Sequence, residues 1–541
     1  MTTEGPQDAA KSVEGAASTR LRLVSKPQVS GWKLMKQRIE RALVRRETAV
    51  RDDPQRGQWS ATKVGIGLGA LGLIGALVAS FFSAKTTISD QMKIVADSDT
   101  RAIYVRLEDG KLYPVLNLAS ARLIVGSPMV PVAVKSSAIA AMPRGPLLGI
   151  PGAPSQMLPS TRTDSQWALC DSGDGRTIAV DSSTGQTEGG EGGSVKSIAI
   201  GGPLTVGSET VSPMGQRRAR LVAIDGQTWL IYREPSGAVV RAQIDMSDRA
   251  VVEALGLGSV DSAVPITRGL FNAITARDEL VVPVIDGAGS DSDVVTIEGR
   301  RARVGAVVET NAVDGRRYYV VLANGVQEVP RTVATMIRAK DSQGQEQIPK
   351  VTPDVVSGVP HVRPLGIGQF PAEDVEVLDS RSAPVTCWSW SKDASSAAAK
   401  TEVLAGGGVP LSEQQAAAVV SLVTGSSSAG RTVTNAYVPY QSGRFVQVTG
   451  SDPSNLSRES LWWVGDTGVR YGIDTSGPID SAKRSVAALG IGNPVPAPWA
   501  VIKMLPVGPV LSETEARLKH DGVRPDKQAQ VLPSKAPEAQ N

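Results

Sequence analysis

The feature that most constrains this chain is an uninterrupted apolar stretch near its N-terminus. From Val64 to Ala84 the sequence VGIGLGALGLIGALVASFFSA runs for 21 residues without a charged side chain. As an α-helix it would be roughly 32 Å long, which matches the hydrocarbon core of a bilayer. A cleaved signal peptide is the main alternative, but the run begins only after 63 residues and exceeds the usual length of such a core. The stretch therefore predicts a single transmembrane helix over 64–84.

The charges on either side of this stretch indicate how it would cross a membrane. Roughly twenty residues before it contain five Lys and Arg, whereas a similar window after it contains three. Because cations are retained on the cytoplasmic side, the N-terminus is predicted to be cytoplasmic and the rest to lie beyond the membrane. Residues 1–63 carry 13 Lys and Arg against 7 Asp and Glu, and the remainder carries 44 against 47. The net charge of +3 does not suggest nucleic acid as a partner.

One face of the predicted span consists of small residues. Their helical spacing would leave a groove in which another membrane helix can approach closely. A partner helix is one interpretation, and the general abundance of Gly and Ala in membrane helices is the other. The residues of this face are Gly65, Gly69, Gly72, Ala76 and Ala79.

The segment before the span is predicted to contain a basic cytoplasmic helix. Residues 1–29 are expected to be disordered, and the stretch that follows places apolar residues near one helical face. We place the basic segment at 30–57, because Pro54 and Gly57 would end the helix. It could contact anionic lipid or a cytoplasmic partner, or it could be a solvated charged helix. The residues predicted to make contact are Trp32, Lys33, Lys36, Arg38, Arg41, Arg45 and Arg46.

An internal repeat is predicted beyond the span. Four segments share a strand, a turn with glycine and a second strand, and a helix-like stretch follows each of them. A hairpin explains the glycine, which adopts positive φ without penalty. Each unit is therefore predicted to be a small α/β module. The segments are YVRLEDGKLYPV from Tyr104, IYREPSGAVVRA from Ile231, YVVLANGVQEVP from Tyr319 and WWVGDTGVRYGI from Trp462, with turn glycines Gly110, Gly237, Gly325 and Gly468.

The spacing of the turn glycines indicates two insertions. Successive glycines are 127, 88 and 143 residues apart, so the first and last gaps hold extra sequence. These insertions contain Cys170 and Cys387, the chain's only cysteines. We expect both insertions to meet in one central domain, with the second and third repeats looping out between them. A Cys170 to Cys387 disulfide is then expected in an exported domain, and two buried free thiols are the alternative.

The predicted fold class is mixed α/β. A single transmembrane helix would precede four small α/β repeat modules arranged around a central, partly β domain. The predicted boundaries are 86–160 for repeat 1, 161–205 for the first part of the central domain, 206–290 for repeat 2, 291–374 for repeat 3, 375–430 for the second part of the central domain, 431–522 for repeat 4 and 523–541 for a disordered tail.

The sequence offers no catalytic motif. A phosphate-binding loop needs GxxxxGK[ST], but the only Gly-Lys pair is Gly110-Lys111, which Leu112 follows. The two histidines, His361 and His520, are 159 residues apart and the two cysteines are expected to pair, so no zinc-type ligand cluster is predicted. No catalytic residue, cofactor or metal is therefore predicted.

Several long motifs carry a family resemblance. They are VSGWKLMKQRIERALVRRETAVRDDP, LYPVLNLASARLIVG, VKSSAIAAMPRGPLLGIPGAP, CWSW, GVRYG and APWAVIKMLPVGPVLS. Together with the order of basic helix, single span and long repeat domain, they closely resemble the EccB family of type VII (ESX) secretion systems. The resemblance extends from about Leu21 to Gly522.

This resemblance implies a core component of the inner-membrane secretion complex of mycolic-acid-bearing bacteria, assembled with EccC, EccD and EccE. It also implies a periplasmic part with a central domain, flanking repeats, a disulfide and contacts between neighbouring copies. The function expected from it is structural, namely anchoring and organising the periplasmic assembly. An ATPase subunit, as some family members are labelled, and a cell-wall-binding module are the alternatives. The sequence shows no nucleotide-binding motif for the first of these.

Overall fold

The computed structural model divides the chain into two compact units, 1–83 and 84–541. The first unit contains α1 (Lys26–Arg45) and α2, a helix over 63–71. The structure describes residues 26–45, 63–71, 85–158, 163–173, 195–207, 210–259, 262–313, 315–423, 431–450, 459–475 and 479–523.

The two predicted helices of the first unit are only partly described. Helix α1 begins at Lys26, earlier than the predicted start at Ser30, since a proline is tolerated in a first turn whose N–H groups have no intrahelical acceptor. Residues 46–57 and 72–84 lie outside the described residues. Within the described parts of the chain, no helix combines the length and the apolar character needed to cross a membrane.

Residues 94–148 of the second unit form sheet I. Three antiparallel strands are followed by a helix, a strand parallel to the first, a short helix and a strand parallel to the third. Asn117 begins the longer helix because its side chain accepts a hydrogen bond from Ser120 N, and Gly126 ends it with a φ of 71°. The elements are β1 (Ile94–Asp97), β2 (Ile103–Arg106), β3 (Leu112–Val115), α3 (Leu118–Val125), β4 (Val132–Val134), α4 (Ser136–Ala140) and β5 (Leu147–Leu148).

The chain then supplies three strands to a different sheet before it starts sheet II. Those three are β6 (Ser165–Ser172), β7 (Lys196–Ile200) and β8 (Val211–Pro213). Sheet II has the same order of elements as sheet I, including a fourth strand parallel to its first and a fifth parallel to its third. Its elements are β9 (Arg218–Ile224), β10 (Gln227–Arg233), β11 (Val239–Ile244), α5 (Arg249–Ala254), β12 (Val264–Pro265), α6 (Arg268–Ala273) and β13 (Thr275–Ala276).

Sheet III follows a separate two-stranded hairpin and repeats this order in reduced form. In place of the two parallel strands it has single parallel β-bridges, from Glu309 to Lys350 and from Val326 to His361. The strand after it, β19, returns to pair with β9 of sheet II. The elements are the hairpin of β14 (Asp291–Ile297) and β15 (Arg300–Arg303), then β16 (Val307–Ala312), β17 (Gly315–Leu322), β18 (Gly325–Val329), α7 (Arg331–Lys340), α8 (Pro353–Ser357) and β19 (Glu376–Val377).

A seven-stranded sheet joins distant parts of the chain. Its strand order is β22-β23-β7-β6-β20-β21-β8, so strands from 165–213 lie beside strands from 385–437. The later elements are β20 (Val385–Lys392), β21 (Lys400–Gly406), α9 (Glu413–Ala416), β22 (Val420–Ser421) and β23 (Asn435–Tyr437). Sheet membership differs from the predicted boundaries at β8 and β23, which the prediction assigned to repeats 2 and 4, and at β19, which it assigned to the central domain.

Sheet IV has the same order of elements again, and the last described strand lies on sheet I. The fourth strand of sheet IV is parallel to its first, and Val507 bridges to Arg470 of its third. The last strand, β28, was predicted within repeat 4 but pairs with β5 of sheet I. The elements are β24 (Arg444–Thr449), β25 (Leu461–Val464), β26 (Arg470–Gly472), α10 (Ile479–Leu489), β27 (Val495–Pro498), α11 (Trp499–Ile502), α12 (Glu513–Ala516) and β28 (Lys519–His520).

Shared hydrophobic cores hold these sheets together. One core combines sheets I and IV, with Leu123 and Leu489 fully buried at the contact between α3 and α10. A second combines sheets II and III, where α5 packs on α7. The third joins the seven-stranded sheet to sheets II and IV, around Trp167 and Trp390. Sheets II and IV therefore each contribute to two cores.

Candidate functional site

The chemical groups that commonly catalyse reactions have structural partners here. His520 Nε2 lies 2.7 Å from the Gly149 carbonyl oxygen, and the His361 ring packs edge-on against Tyr319. Within the described residues no group of three or more His, Cys, Asp or Glu is placed to hold a metal ion. The features with unusual chemistry are instead the buried contacts that join segments far apart in the sequence.

The first of these contacts is a disulfide inside the seven-stranded sheet. Cys170 of β6 and Cys387 of β20 are directly opposite each other, with sulfur atoms 2.07 Å apart, and both are fully buried. The predicted disulfide is thus confirmed. It closes a loop of 217 residues that contains all of sheets II and III. In the chain-entropy model such a link stabilises the fold by at most about 5 kcal/mol.

The second contact is a buried carboxylate beside the disulfide. Asp171 Oδ2 accepts hydrogen bonds from Thr267 N at 2.7 Å and Thr267 Oγ1 at 2.8 Å, and Thr267 caps the N-terminus of α6. Its Oδ1 atom is buried and has no hydrogen-bond partner in the described structure. Burial raises the pKa of Asp171 to about 7, although the two hydrogen bonds from Thr267 act in the opposite direction. This residue therefore fixes sheet II to the seven-stranded sheet.

The third contact is a set of buried arginines that donate to backbone carbonyls. Arg122 of α3 reaches Leu489 O at 3.0 Å and Met157 O at 3.2 Å, which links sheet I to sheet IV. Arg220 of β9 is fully buried and donates to Ala383 O, just before β20. Burial lowers the pKa of Arg220 to about 10, which Asp379 nearby opposes, so the side chain remains charged at neutral pH.

Two arginines of sheet IV also donate to backbone carbonyls. Arg444 Nε lies 3.4 Å from Gly201 O, beyond the end of β7, and Arg470 Nε donates to Leu505 O at 3.0 Å. The Arg470 guanidinium carbon also lies near the rings of both Trp462 and Trp499, 4.6 and 4.9 Å from their centroids. The described acceptors of Arg444 and Arg470 are backbone carbonyl oxygens, so these contacts fix the geometry between segments of the chain.

The C-terminal segment completes sheet I. Strand β28 pairs with β5, Gly149 N donates to Leu518 O at 3.3 Å, and Arg517 Nη2 donates to Ile124 O at 3.2 Å. Gly149 has a φ of 127°, and an added Cβ would lie 3.2 Å from the Leu116 backbone. Residues 147–148 and 519–520 are thereby held in one sheet.

The predicted turn glycines do not all have the same role. Gly110, Gly237 and Gly468 have φ values of 74°, 88° and 79°, so these turns need the left-handed conformation that glycine adopts readily. The same explanation is wrong for Gly325, which is the first residue of β18 and is not among the residues with positive φ. There an added Cβ would lie 2.2 Å from Pro360 O, so close approach of the backbone of residue 360 requires the glycine.

The predicted membrane and cytoplasmic residues are only partly described. Gly65 and Gly69 lie in α2, whereas Gly72, Ala76 and Ala79 lie outside the described residues. Along α1 the side chains of Trp32, Met35, Ile39 and Leu43 are 68, 63, 52 and 79% exposed. Within the same helix Lys33, Arg38 and Arg41 are exposed and Lys36 is 3.8 Å from Glu40. The side chain of Arg45 and the whole of Arg46 lie outside the described part.

Sequence reasoning missed the residues that tie the sheets together. Asp171 stands directly after Cys170 in the apolar run WALC, and Arg220 stands inside the apolar strand RARLVAI. A charged residue within a buried strand is unusual and could have been noticed as a signal. The acceptors of the buried arginines could not have been predicted, because backbone carbonyls carry no sequence signature.

Comparison with known proteins places this fold in a family. A family model described as "Type VII secretion system ESX-1, transport TM domain B" matches residues 21–525. The chain belongs to the EccB family. The resemblance drawn from the sequence motifs is therefore confirmed.

Curated EccB relatives are similar over nearly their whole length. The ESX-3 secretion system ATPase EccB3 of Mycolicibacterium smegmatis is 38% identical over 92% of this chain and 91% of that protein. The ESX-5 secretion system ATPase EccB5 of Mycobacterium tuberculosis is 36% identical over 93% of this chain and 94% of that protein. Both names describe the relatives as ATPases of ESX systems.

Solved EccB structures share the fold. A chain of an intact ESX-5 inner membrane complex matches with a TM-score of 0.68 and 33% identity, covering 96% of this chain and 100% of its own. An EccB3 dimer from the ESX-3 core complex matches with a TM-score of 0.63 and 36% identity, covering 79% of this chain and 100% of its own. The mixed α/β fold is thus that of EccB proteins.

Proposed function

We propose that this chain is a structural subunit of the inner-membrane type VII (ESX) secretion complex. The observation that carries the proposal is the similarity to a chain of an intact ESX-5 inner membrane complex, which covers 96% of this chain. The disulfide and the buried arginine contacts support a framework role, because the disulfide joins two strands of one sheet and the arginines join different sheets, each across a long stretch of sequence. The chain would anchor and organise the periplasmic assembly with EccC, EccD and EccE.

The proposed topology is a single pass with a cytoplasmic N-terminus. Residues 64–84 would span the inner membrane, with the face of Gly65, Gly69, Gly72, Ala76 and Ala79 against another helix. The exposed apolar side chains of α1 and its cations suit a contact at the cytoplasmic side. The periplasmic part would consist of four repeat modules, one for each of sheets I to IV, around the seven-stranded sheet.

Contacts between copies are part of the proposal. One solved relative is an EccB3 dimer and another belongs to a periplasmic assembly from the ESX-5 inner membrane complex. We infer that this chain likewise contacts further copies of itself through its periplasmic part.

A complementation experiment tests the structural role. The native membrane complex of a strain that lacks this chain is compared with that of strains expressing the full chain or residues 1–83 only. We expect the full chain alone to restore both the mass of the complex and secretion. A complex of unchanged mass and undiminished secretion in the deletion strain would show the proposal to be wrong.

An ATPase subunit is the second candidate, and the names of the curated relatives favour it. The chain's single Gly-Lys pair lies in the turn between β2 and β3, where Lys111 Nζ is 4.0 Å from Asp109 Oδ2. That turn has neither the GxxxxGK[ST] sequence nor the strand-to-helix context of a phosphate-binding loop. Calorimetry with Mg-ATP on the purified full chain distinguishes the candidates, since saturable binding with hydrolysis would favour the enzyme.

A further inference from the structure

A cavity lies where the edge of sheet II meets sheet III. Its volume is about 880 Å³, and its walls come from the residue before β9, from β17 and β18, from the start of α7 and from residues 361–374. This volume is within the range of about 300 to 1,000 Å³ that is typical of ligand-binding clefts.

Positive charge dominates the walls of this cavity. Five arginines line it, namely Arg217, Arg316, Arg317, Arg331 and Arg363, together with three carboxylates. The arginines come from four separate segments of the chain, so the charge does not arise from a single basic run.

The three carboxylates are each matched by one arginine. Arg217 Nε lies 3.4 Å from Glu373 Oε2, Arg317 Nη1 lies 3.8 Å from Glu328 Oε2, and Arg331 pairs with Asp374. Within the described part of the chain, Arg316 and Arg363 make no ion pair, although both are exposed on the same cavity. The cavity therefore has two guanidinium groups available to an outside ligand.

The chain's own residues indicate what kind of ligand the cavity accepts. Glu373 and Asp374, adjacent in sequence, lie in it with their carboxylates on two of its arginines. The walls between the charges are apolar or half-buried, and they include Tyr318, Leu365 and Ile367. Guanidinium groups match carboxylates in geometry, and an apolar wall suits side chains between acidic residues better than it suits a free inorganic ion.

We propose that this cleft binds an acidic segment of a partner protein, with Arg316 and Arg363 pairing with its carboxylates. The partner's carboxylates would pair with arginines of the cavity as those of Glu373 and Asp374 already do. This goes beyond the assembly role, and it does not depend on that role being correct.

The test uses the full chain purified in detergent and a short fluorescent peptide in which Glu alternates with Leu. Its neutral counterpart has Gln in place of each Glu. Binding is followed by fluorescence anisotropy at low salt and again at high salt. We expect the acidic peptide to bind, the neutral one not to bind, and affinity to fall as salt screens the charges.

Substitutions decide where the peptide binds. The Arg316→Gln/Arg363→Gln variant is expected to bind the acidic peptide at least about tenfold more weakly, because two charge-assisted contacts are lost. The matched control is Arg249→Gln/Arg300→Gln, which removes the same charge from exposed positions outside the cavity and should bind as the wild type does. Thermal melting confirms that both variants fold, and the single variants Arg316→Gln and Arg363→Gln should each show part of the loss.

Three results would overturn the proposal. The first is equal binding by the wild type and the cavity variant. The second is an equal loss in the control, which would indicate general charge attraction. The third is binding of inorganic phosphate, abolished by Arg316→Gln/Arg363→Gln, without any binding of the peptide, which would make the cleft a small-anion site.

Discussion

The pair of sheets I and IV and the pair of sheets II and III are built alike but assembled differently. In each pair a helix of one sheet packs on a helix of the other, α3 on α10 and α5 on α7. Sheets II and III follow each other between residues 218 and 377, whereas sheet I begins at residue 94 and sheet IV at 444. The II–III pair can therefore form from one continuous segment, and the I–IV pair needs both ends of the second unit.

The two pairs also differ in how they are closed. The II–III core is closed by Phe370, whose neighbour Gln369 accepts a hydrogen bond from Tyr232 Oη at its carbonyl. The I–IV core is closed by Arg122 and by strand β28, both acting across more than 360 residues of sequence. Similar modules are therefore joined by different contacts, depending on how far apart they lie in the sequence.

The largest effect is expected from the disulfide, because its loop encloses the whole II–III pair and none of the I–IV pair. We expect the Cys170→Ser/Cys387→Ser variant to lose up to about 5 kcal/mol in free energy of unfolding. Denaturant titration of the oxidised wild type and the variant measures this loss. Reduced wild type should behave like the variant, and equal stability of all three forms would contradict the expectation.

Matched core substitutions should separate the two pairs. Leu255 in the II–III core and Leu489 in the I–IV core are 1% and 0% exposed. Each Leu→Ala change is expected to cost about 3 kcal/mol, because it removes buried methyl groups and leaves a cavity. Hydrogen exchange should increase within 218–377 for Leu255→Ala, but at both ends of the second unit for Leu489→Ala.

The control for this pair is Leu158→Ala, at a residue that is 49% exposed, and it should change stability by less than about 1 kcal/mol. If Leu489→Ala loosened sheet IV alone, then sheets I and IV would not be one cooperative unit.

A smaller loss is expected when Arg122 is removed from the I–IV contact. Arg122→Ala leaves Leu489 O and Met157 O without their buried donor, which should cost about 2 kcal/mol. Limited proteolysis should then cut first in the segments of sheets I and IV that meet at this contact. Arg517→Ala loses one carbonyl contact from a half-exposed side chain, so it should lower the free energy of unfolding by less. If both variants lost the same stability, the buried contacts of Arg122 would not explain its effect.

A pH dependence is expected at the contact between sheet II and the seven-stranded sheet. Burial raises the pKa of Asp171 from 3.8 to about 7, so the folded state binds more protons than the unfolded state between these values. The contribution of Asp171 to the free energy of unfolding should therefore fall as pH rises from about 4 to about 7. Asp171→Asn should flatten this fall, as measured by denaturant titration across pH.

The matched control for that titration is Asp291→Asn, an exposed residue of β14, which should leave the pH dependence unchanged. If the free energy of unfolding of the wild type did not fall between these pH values, the raised pKa of Asp171 would be contradicted.

The sequence predicted those parts of the fold that depend on local patterns. Glycines such as Gly110 and Gly468 occur where a turn needs positive φ, and the helices α5 and α7 follow their hairpins where the apolar spacing indicates them. The cysteine count, the spacing of the turn glycines and the expected export of the domain together predicted the disulfide, since only one intrachain pairing was possible.

The remaining parts depend on contacts that local patterns do not encode. Strand β28 has two residues and no periodicity, so nothing in Lys519 and His520 indicates that they pair with β5. The role of Gly325 depends on the carbonyl of Pro360, and the roles of Arg122 and Arg220 depend on carbonyls hundreds of residues away. The arginine cavity was missed for the same reason, because its residues come from segments that only the fold brings together.

The pairing of β28 with β5 makes a strand near residue 148 depend on residues near 519. A product that stops before residue 519 leaves β5 without its antiparallel neighbour, and an unpaired strand edge is a site for aggregation. Copies that stop before residue 519 would thus differ from longer ones in surface chemistry near residue 148.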